Sequence, residues 1–220
     1  METSKAVATR RSVRAYHDKP VSFETIQRVL DRARMAPSGC NYQPWEATVL
    51  TGAPLKALQD VLLAAQPDDP AEYDWAAPGQ HAKYLPRLQA VGAALYGAMG
   101  VSREQTDQRE AFARANLTSF GAPVLLLCHF PKFMKEAQWS DVGMWLQTIM
   151  LLLREEGLDS CPQEYMGTYG RTIKAHLGLG DDIMLFCGIA IGYGDEAAPI
   201  NGFQRERVPL EEQIKFLGFN

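Results

Sequence analysis

The sequence lacks the short motifs that mark several common catalytic and nucleotide-binding sites. It contains no G-x-G-x-x-G that opens a helix after a strand, no P-loop, no H-E-x-x-H and no G-x-S-x-G. These absences argue against a Rossmann dinucleotide site, a P-loop nucleotidase, a zincin and a serine hydrolase of the nucleophile-elbow type.

Cysteine and histidine are scarce and scattered. The four cysteines form no C-x-x-C pair, and two of them lie within apolar runs, so we expect buried, reduced thiols. The four histidines have no metal-ligand spacing, so we expect no metal site. These residues are Cys40, Cys128, Cys161, Cys187, His17, His81, His129 and His176.

Strong charge and long apolar runs are missing as well. The net charge of -4 gives no general attraction to a polyphosphate backbone, which argues against a nucleic-acid partner. The longest apolar stretches fall well short of the about 20 residues that span a membrane, and the first residues lack the apolar core of a signal peptide. We therefore expect no membrane partner and a cytoplasmic location.

The 220 residues have an ordinary globular composition, 46% hydrophobic and 22% charged, which favours one domain over residues 1–220. Apolar spacing predicts a helix capped by Ser22, strands near residues 45, 125 and 187, and a long buried helix over residues 139–156. This pattern indicates an α+β or α/β sandwich around a single sheet. The tail, about 197–220, is apolar enough that we expect it to pack on something.

Residues 66–86 are rich in proline and glycine yet carry Tyr73, Trp75 and Tyr84. A loop of that length is usually functional. We assign these three aromatic residues to a candidate substrate pocket, together with Asn116 and Phe120.

Three groups of residues are candidates for binding chemistry. Arg10, Arg11, Ser12 and Arg14 combine guanidinium forks with a hydroxyl, which suits a phosphate, although a solvated basic turn is the alternative. Arg205 and Arg207 alternate along a segment, so both side chains can reach one anion; the alternative is a surface salt-bridge cluster with Glu206, Glu211 and Glu212.

The third group is a loop between two prolines, residues 37–44, which carries many hydrogen-bonding groups. It either places polar groups against a flat ligand edge or simply connects a helix to a strand. The residues assigned to a binding role there are Pro37, Ser38, Gly39 and Asn41.

Taken together and in this order, the three groups resemble the nitroreductase family of FMN enzymes over essentially the whole chain. The family motifs R-x-S-x-[RK], P-S-x-x-N-x-Q-P-W and basic-x-Arg-x-Pro are all intact here, beginning at Arg10, Pro37 and Arg205. Residues 85–123 look most like the nitroarene and nitrobenzoate reductase branch.

The resemblance implies a three-layer α/β/α sandwich with a mostly antiparallel sheet, in an intertwined homodimer whose C-terminal tails pack on the partner subunits. FMN would be held by the arginines and Ser12, with the loop at residues 37–41 supplied by the partner. The backbone of Gln163, Glu164 and Tyr165 would lie near flavin N5, although many relatives have glycine in place of Tyr165.

The resemblance further implies reduction of nitroaromatic compounds to hydroxylamines with NAD(P)H in a ping-pong cycle, with no side-chain acid required. Reductive dehalogenation, flavin destruction and flavin binding without turnover stay open, since fold alone does not separate them.

Overall fold

The computed structural model describes residues 1–73 and 78–219. Its centre is a four-stranded antiparallel sheet with the strand order β1-β2-β4-β3. The strands are β1 (Glu46–Thr51), β2 (Val124–Pro131), β3 (Asp159–Gln163) and β4 (Ile183–Gly192).

Helices cover both faces of this sheet. In the described residues they are α1 (Thr3–Thr9), α2 (Phe23–Ala33), α3 (Gly52–Ala64), α4 (Leu85–Ala98), α5 (Thr106–Arg114), α6 (Glu136–Glu155), α7 (Gly170–Leu177) and α8 (Pro199–Gly202). Short 3₁₀ segments lie at Gly39–Asn41, Pro78–Gln80, Ala115–Gly121, Glu164–Tyr169 and Leu210–Glu212.

Strand β2 divides the core into two layers because successive side chains of a strand point to opposite faces. Leu126, Cys128 and Phe130 pack in a cluster with residues of α2 and α6. Leu125 and Leu127 pack in a second cluster with residues of α3 and α7. The predicted α+β fold and its three-layer arrangement are therefore confirmed.

Local signals place the main helices as predicted. The Ser22 side chain accepts a hydrogen bond from the backbone N–H of Thr25 and caps α2. Helix α6 ends before Gly157, whose φ of 72° favours glycine. Along α6, Val142, Ile149 and Leu153 are fully buried.

Strand β3 is absent from the sequence prediction, which gave three strands. Its sequence, DSCPQ, has no apolar alternation and contains Pro162. Among the strands it pairs with β4, at the sheet edge, where a proline is tolerated. Pairing with an apolar neighbour, rather than local pattern, makes this segment a strand.

Three of the four cysteines are buried free thiols, as predicted, whereas Cys40 is exposed. No helix among residues 1–73 and 78–219 is long and apolar enough to cross a membrane.

Candidate anion and flavin site

The N-terminal arginine segment lies along the outer edge of β3. Ser12 forms an isolated parallel bridge with Ser160, and the Val13 N–H donates to the Ser160 carbonyl at 3.1 Å. Arg10 directly follows α1, where its N–H donates to the Ala6 carbonyl. The sheet edge therefore fixes the backbone from which Arg10, Ser12 and Arg14 project.

Asn201 connects this segment to the C-terminal arginines. Its Oδ1 accepts from the Arg14 N–H at 2.8 Å, and its Nδ2 donates to the carbonyls of Ala15 and Asp195 at 2.9 and 2.8 Å. The side chain is buried, so these three bonds satisfy polar groups that would otherwise be costly. Sequence reasoning missed Asn201.

The two ends of the chain meet at a cavity of about 410 Å³. Five arginines and a serine line one part of it: Arg10, Arg11, Ser12, Arg14, Arg205 and Arg207. We call the five arginines the arginine cluster. Leu88, Leu95 and Tyr96 of α4 lie among the remaining lining residues.

The arginine cluster has no carboxylate partner within the described part of the chain. Arg11 donates to the Phe203 carbonyl, Arg205 to the Ala8 carbonyl, and Arg207 to the Glu206 carbonyl at 2.7 Å. The surface salt-bridge alternative therefore does not account for this cluster. Of the acids it invoked, Glu212 pairs instead with Arg87, at 3.6 Å.

Mutual repulsion within the cluster affects its titration. Burial, and then the charge of Arg207, lower the pKa of Arg10. Burial also lowers the pKa of Arg205, with further contributions from Arg10 and Arg207. Cations gathered without an internal counter-charge attract an external anion, and a set of guanidinium forks beside a hydroxyl fits the three oxygens of a phosphate monoester.

The thiol of Cys161 lies beside these groups and stays protonated. Burial raises its pKa to about 11, although Arg14, a hydrogen bond with Ser12, and Arg10 all act in the opposite direction. A thiol with that pKa is not a nucleophile near neutral pH.

A second part of the site begins at the end of β3. Gln163 lies three residues beyond Ser160, about 10 Å along the strand. It is buried, and its Nε2 donates to Asn116 at the backbone carbonyl (2.9 Å) and at Oδ1 (3.2 Å), while its Oε1 has no partner within the described residues. The sheet edge thus supports an elongated ligand with a phosphate at one end.

Phe120 lies between the two parts. Its ring packs with Cys161, and the Arg14 guanidinium carbon is 6.0 Å from its centroid. Ser119 and Phe120 both have a φ of 54°, a backbone region that non-glycine residues rarely adopt. Such strain concentrates at functional sites.

The sequence profile of the Nitroreductase family matches residues 7–193. The chain belongs to this family.

Individual relatives agree with this assignment. The chain is 37% identical to a 4-nitrobenzoate reductase of Pseudomonas putida over 97% of this chain and 95% of that protein. The solved structure of an FMN and NADPH-dependent nitroreductase NfnB from Sphigopyxis sp. strain HMH is 46% identical, with full coverage of both chains and a TM-score of 0.95. That of the FMN-dependent nitroreductase NfnB from Mycobacterium smegmatis, in complex with NADPH, is 31% identical over 97% of each chain, with a TM-score of 0.92.

One nitroreductase motif lies far from the arginine cluster within the same chain. The Gly39 N–H donates to both carboxylate oxygens of Asp141, at 3.2 Å each, near the start of α6. The Arg10–Arg14 segment instead pairs with Ser160, just beyond the end of α6. Arg154 lies thirteen positions after Asp141 in α6, which is about 20 Å along the helix axis.

The loop of residues 37–44 is nevertheless constrained. Cys40, Asn41 and Gln43 have φ values of 49°, 57° and 48°. The Ser38 Oγ accepts from the Gln43 N–H at 2.9 Å. Pro37, Gly39 and Asn41 are all exposed, so this strained loop presents its polar groups outward.

The predicted aromatic pocket residues do not gather in one place. Tyr73 packs edge-on against Trp139 and Phe186 and donates to the Phe186 carbonyl at 2.8 Å. Tyr84 is 42% exposed beside Arg87. Trp75 lies outside the described residues, whereas Asn116 and Phe120 lie at the site.

The segment after Gln163 begins with an exposed residue and continues with a packed one. Glu164 is exposed and opens the 3₁₀ segment Glu164–Tyr169. The Tyr165 side chain packs against the second core cluster, 5.9 Å from the Tyr169 ring between centroids. Its bulk is therefore accommodated by the core.

Proposed function

We propose that this chain is an FMN-dependent NAD(P)H oxidoreductase that reduces nitroaromatic compounds to hydroxylamines. The arginine cluster carries the proposal, because five guanidinium groups meet there without a carboxylate from the described residues. The relatives of the chain include a 4-nitrobenzoate reductase and FMN-dependent nitroreductases of known structure.

The phosphate of FMN fits the arginine cluster by charge and by donor geometry. Arg10, Arg205 and Arg207 neutralise the dianion, and Ser12 adds a hydroxyl donor. Asn201 holds the two chain ends in register. The cavity and the unpaired cations together supply what a phosphate requires, so the residues present fit the group.

The rest of FMN would be held by groups along β3, including Gln163 and Asn116. The backbone of Glu164 and Tyr165 would contact the flavin ring, and the positive charge of Arg14 would stabilise its reduced form. Bound FMN supplies the redox chemistry by accepting electrons from NAD(P)H and passing them to the nitro group. The protein contributes binding, orientation and charge.

The donor and the acceptor use the same face of the site in turn, which makes the cycle ping-pong. Conversion of one nitro group to a hydroxylamine consumes two NAD(P)H and two protons, and releases one water. None of these steps requires a side-chain acid of the chain.

The functional unit is a homodimer in which the loop at residues 37–41 completes the partner's site. The rise of about 20 Å along α6 from Asp141, which holds this loop, to Arg154, which lines a cavity with Arg11, supports that arrangement, since both motifs belong to the family pattern. The exposed apolar side chains of the tail support its packing on the partner subunit: Leu210, Ile214, Phe216, Leu217 and Phe219.

A visible absorption spectrum combined with turnover tests this function. We expect a yellow protein that releases FMN on denaturation, is a dimer by sedimentation equilibrium, and oxidises two NADPH or NADH per nitroarene supplied. A colourless protein that does not take up FMN would contradict the cofactor. Bound flavin that neither NADH nor NADPH reduces would indicate a flavin-binding protein, whereas reduced flavin that passes no electrons to nitroarenes would favour dehalogenation or flavin destruction.

A further inference from the structure

The guanidinium group of an arginine of α5 lies over an aromatic ring of α4. The guanidinium carbon of Arg109 is 3.7 Å from the centroid of Tyr96. This close contact is a cation–π interaction, which orients the planar fork and reduces the entropy it loses when it binds a ligand. Arg109 is partly buried, so its position is more restricted than that of a fully exposed arginine.

Tyr96 is the first of a row of contacting aromatic rings that reaches the proposed flavin site. Its ring meets Phe112 edge-on at 5.9 Å, and Phe112 lies 5.7 Å from Phe120, the residue beneath Arg14. Tyr96 also lines the cavity of the arginine cluster. An aromatic wall of three rings therefore joins Arg109 to the place where FMN is proposed to bind.

The charge of Arg109 is not paired with any carboxylate of the described residues. Its side chain has no ion pair and no hydrogen bond with the rest of the described chain, and its only ionic influence is a small one on exposed Glu104. Arg87 of α4 provides the contrast, because it contacts the Tyr84 ring at 5.5 Å and also pairs with Glu212. Of these two stacked arginines, Arg109 is the one available to a ligand.

We propose that Arg109, oriented by Tyr96, binds the carboxylate of an aromatic acceptor and so makes the enzyme selective for nitrobenzoates over neutral nitroarenes. The aromatic wall receives the substrate ring, and the guanidinium fork receives the carboxylate through two parallel hydrogen bonds. This inference rests on the proposed nitroreductase function and adds a substrate class to it.

The test compares Arg109→Gln with Arg103→Gln, using 4-nitrobenzoate and nitrobenzene as acceptors. Arg103 is an exposed arginine of the same region that contacts no aromatic ring of the described residues, so it is the matched control. For Arg109→Gln we expect kcat/KM for 4-nitrobenzoate to fall about 10- to 100-fold, mainly through KM, because a charge-assisted pair is lost. Nitrobenzene kinetics should change less than about twofold, and Arg109→Lys should recover part of the loss since a point charge remains.

Calorimetric titration of the FMN-loaded enzyme with benzoate, compared with benzamide, gives a readout independent of turnover. Benzoate affinity should fall in Arg109→Gln, while benzamide affinity should not. An equal fall in kcat/KM for 4-nitrobenzoate and for nitrobenzene would overturn the inference, because Arg109 would then support only the packing of Tyr96. A rise confined to the KM of NADPH would also overturn it, since the anion would be a coenzyme phosphate. If the wild type reduces no nitroarene at all, the proposed function fails instead, and the benzoate titration alone then decides whether Arg109 binds a carboxylate.

Discussion

The arginine cluster and a second group of cationic side chains differ above all in whether the described chain supplies them with a carboxylate. In the second group, Lys174 and Lys132 both contact Glu72 Oε1, at 2.5 and 3.1 Å, and Lys174 also donates to the Ile183 carbonyl. We call these three residues the Glu72 triad. Glu72 and Lys174 have side chains only 4% and 3% exposed, so the pair is sealed in the protein.

The arginine cluster, by contrast, has more cations, no carboxylate within the described residues, and an open cavity in front of it. A buried charge needs a partner, and Glu72 supplies one for Lys174. The arginines of the cluster are half-buried or exposed, so they can take an anion from solution. The comparison therefore separates a structural anchor, which holds residues 66–73 against α7 and β4, from a proposed binding site. The two groups should respond differently to loss of one member.

The largest expected effect is on the Glu72 triad. Glu72→Gln leaves the Lys174 ammonium buried without a counter-charge, so we expect the free energy of unfolding to fall by about 3–5 kcal/mol. Urea unfolding measures this change.

The matched control is Asp60→Asn on α3, because Asp60 and its partner Lys56 are 58% and 66% exposed. That substitution should cost less than about 1 kcal/mol. If Glu72→Gln lowered the free energy of unfolding no more than Asp60→Asn does, the triad would not be a structural anchor. The contrast between the triad and the arginine cluster would then no longer hold.

The next effect is on ligand affinity and concerns Arg10. We expect Arg10→Ala to weaken FMN binding by about 1.5–3 kcal/mol, which is roughly 10- to 150-fold, through loss of a charge-assisted contact. The stability of the FMN-free protein should change by less than about 0.5 kcal/mol, because no carboxylate loses its partner. Fluorescence titration with FMN and urea unfolding measure the two quantities.

Arg103→Gln serves as the control, with unchanged FMN affinity. Should Arg10→Ala keep wild-type affinity for FMN while destabilising the FMN-free protein, the arginine cluster would be structural, and the distinction drawn from its missing carboxylate would be wrong.

Residue patterns along the chain predicted the arginine cluster far better than the Glu72 triad. Arg10, Ser12 and Arg14 form a recognisable local motif, and the apolar periodicity of α2, α6, β2 and β4 marks the layers that hold it. Both signals are local in sequence, so they can be recognised without knowledge of the fold.

Glu72 and Asn201 carry no such signal. Glu72 meets Lys174 across 102 positions of sequence, and Asn201 meets Arg14 across 187. Their roles depend on which segments the sheet brings together, as does the identity of β3. The loop of residues 37–41 illustrates another limit, because its residue types predict a binding role, whereas only the family resemblance implies that it would serve the ligand of a partner chain.

His129 is an intermediate case between the arginine cluster and the Glu72 triad. A carboxylate, that of Glu46, lies near its imidazole but not in close contact with it. Its Nδ1 lies 3.5 Å from Oε2 of Glu46, whose side chain is 56% exposed, and its Nε2 lies 3.2 Å from the Thr48 hydroxyl. Burial lowers the pKa of His129 below its ordinary value of 6.5, and Glu46 opposes that shift only in part. The imidazole is therefore neutral at pH 7, and this contact is not a charged pair.

The smallest expected effect follows from that neutrality. Because the folded state holds His129 neutral while the unfolded chain protonates it near pH 6.5, the unfolded state binds more protons below that pH, and stability falls as the pH is lowered. The slope that one such group adds is at most about 1.4 kcal/mol per pH unit. His129→Gln keeps a partner for Thr48 but does not titrate, so its urea-unfolding free energy should depend less on pH below about 6.5 than that of the wild type. His176→Gln, on the exposed surface of α7, should follow the wild-type curve, and a His129→Gln curve parallel to the wild type would mean that Glu46 compensates the buried imidazolium after all.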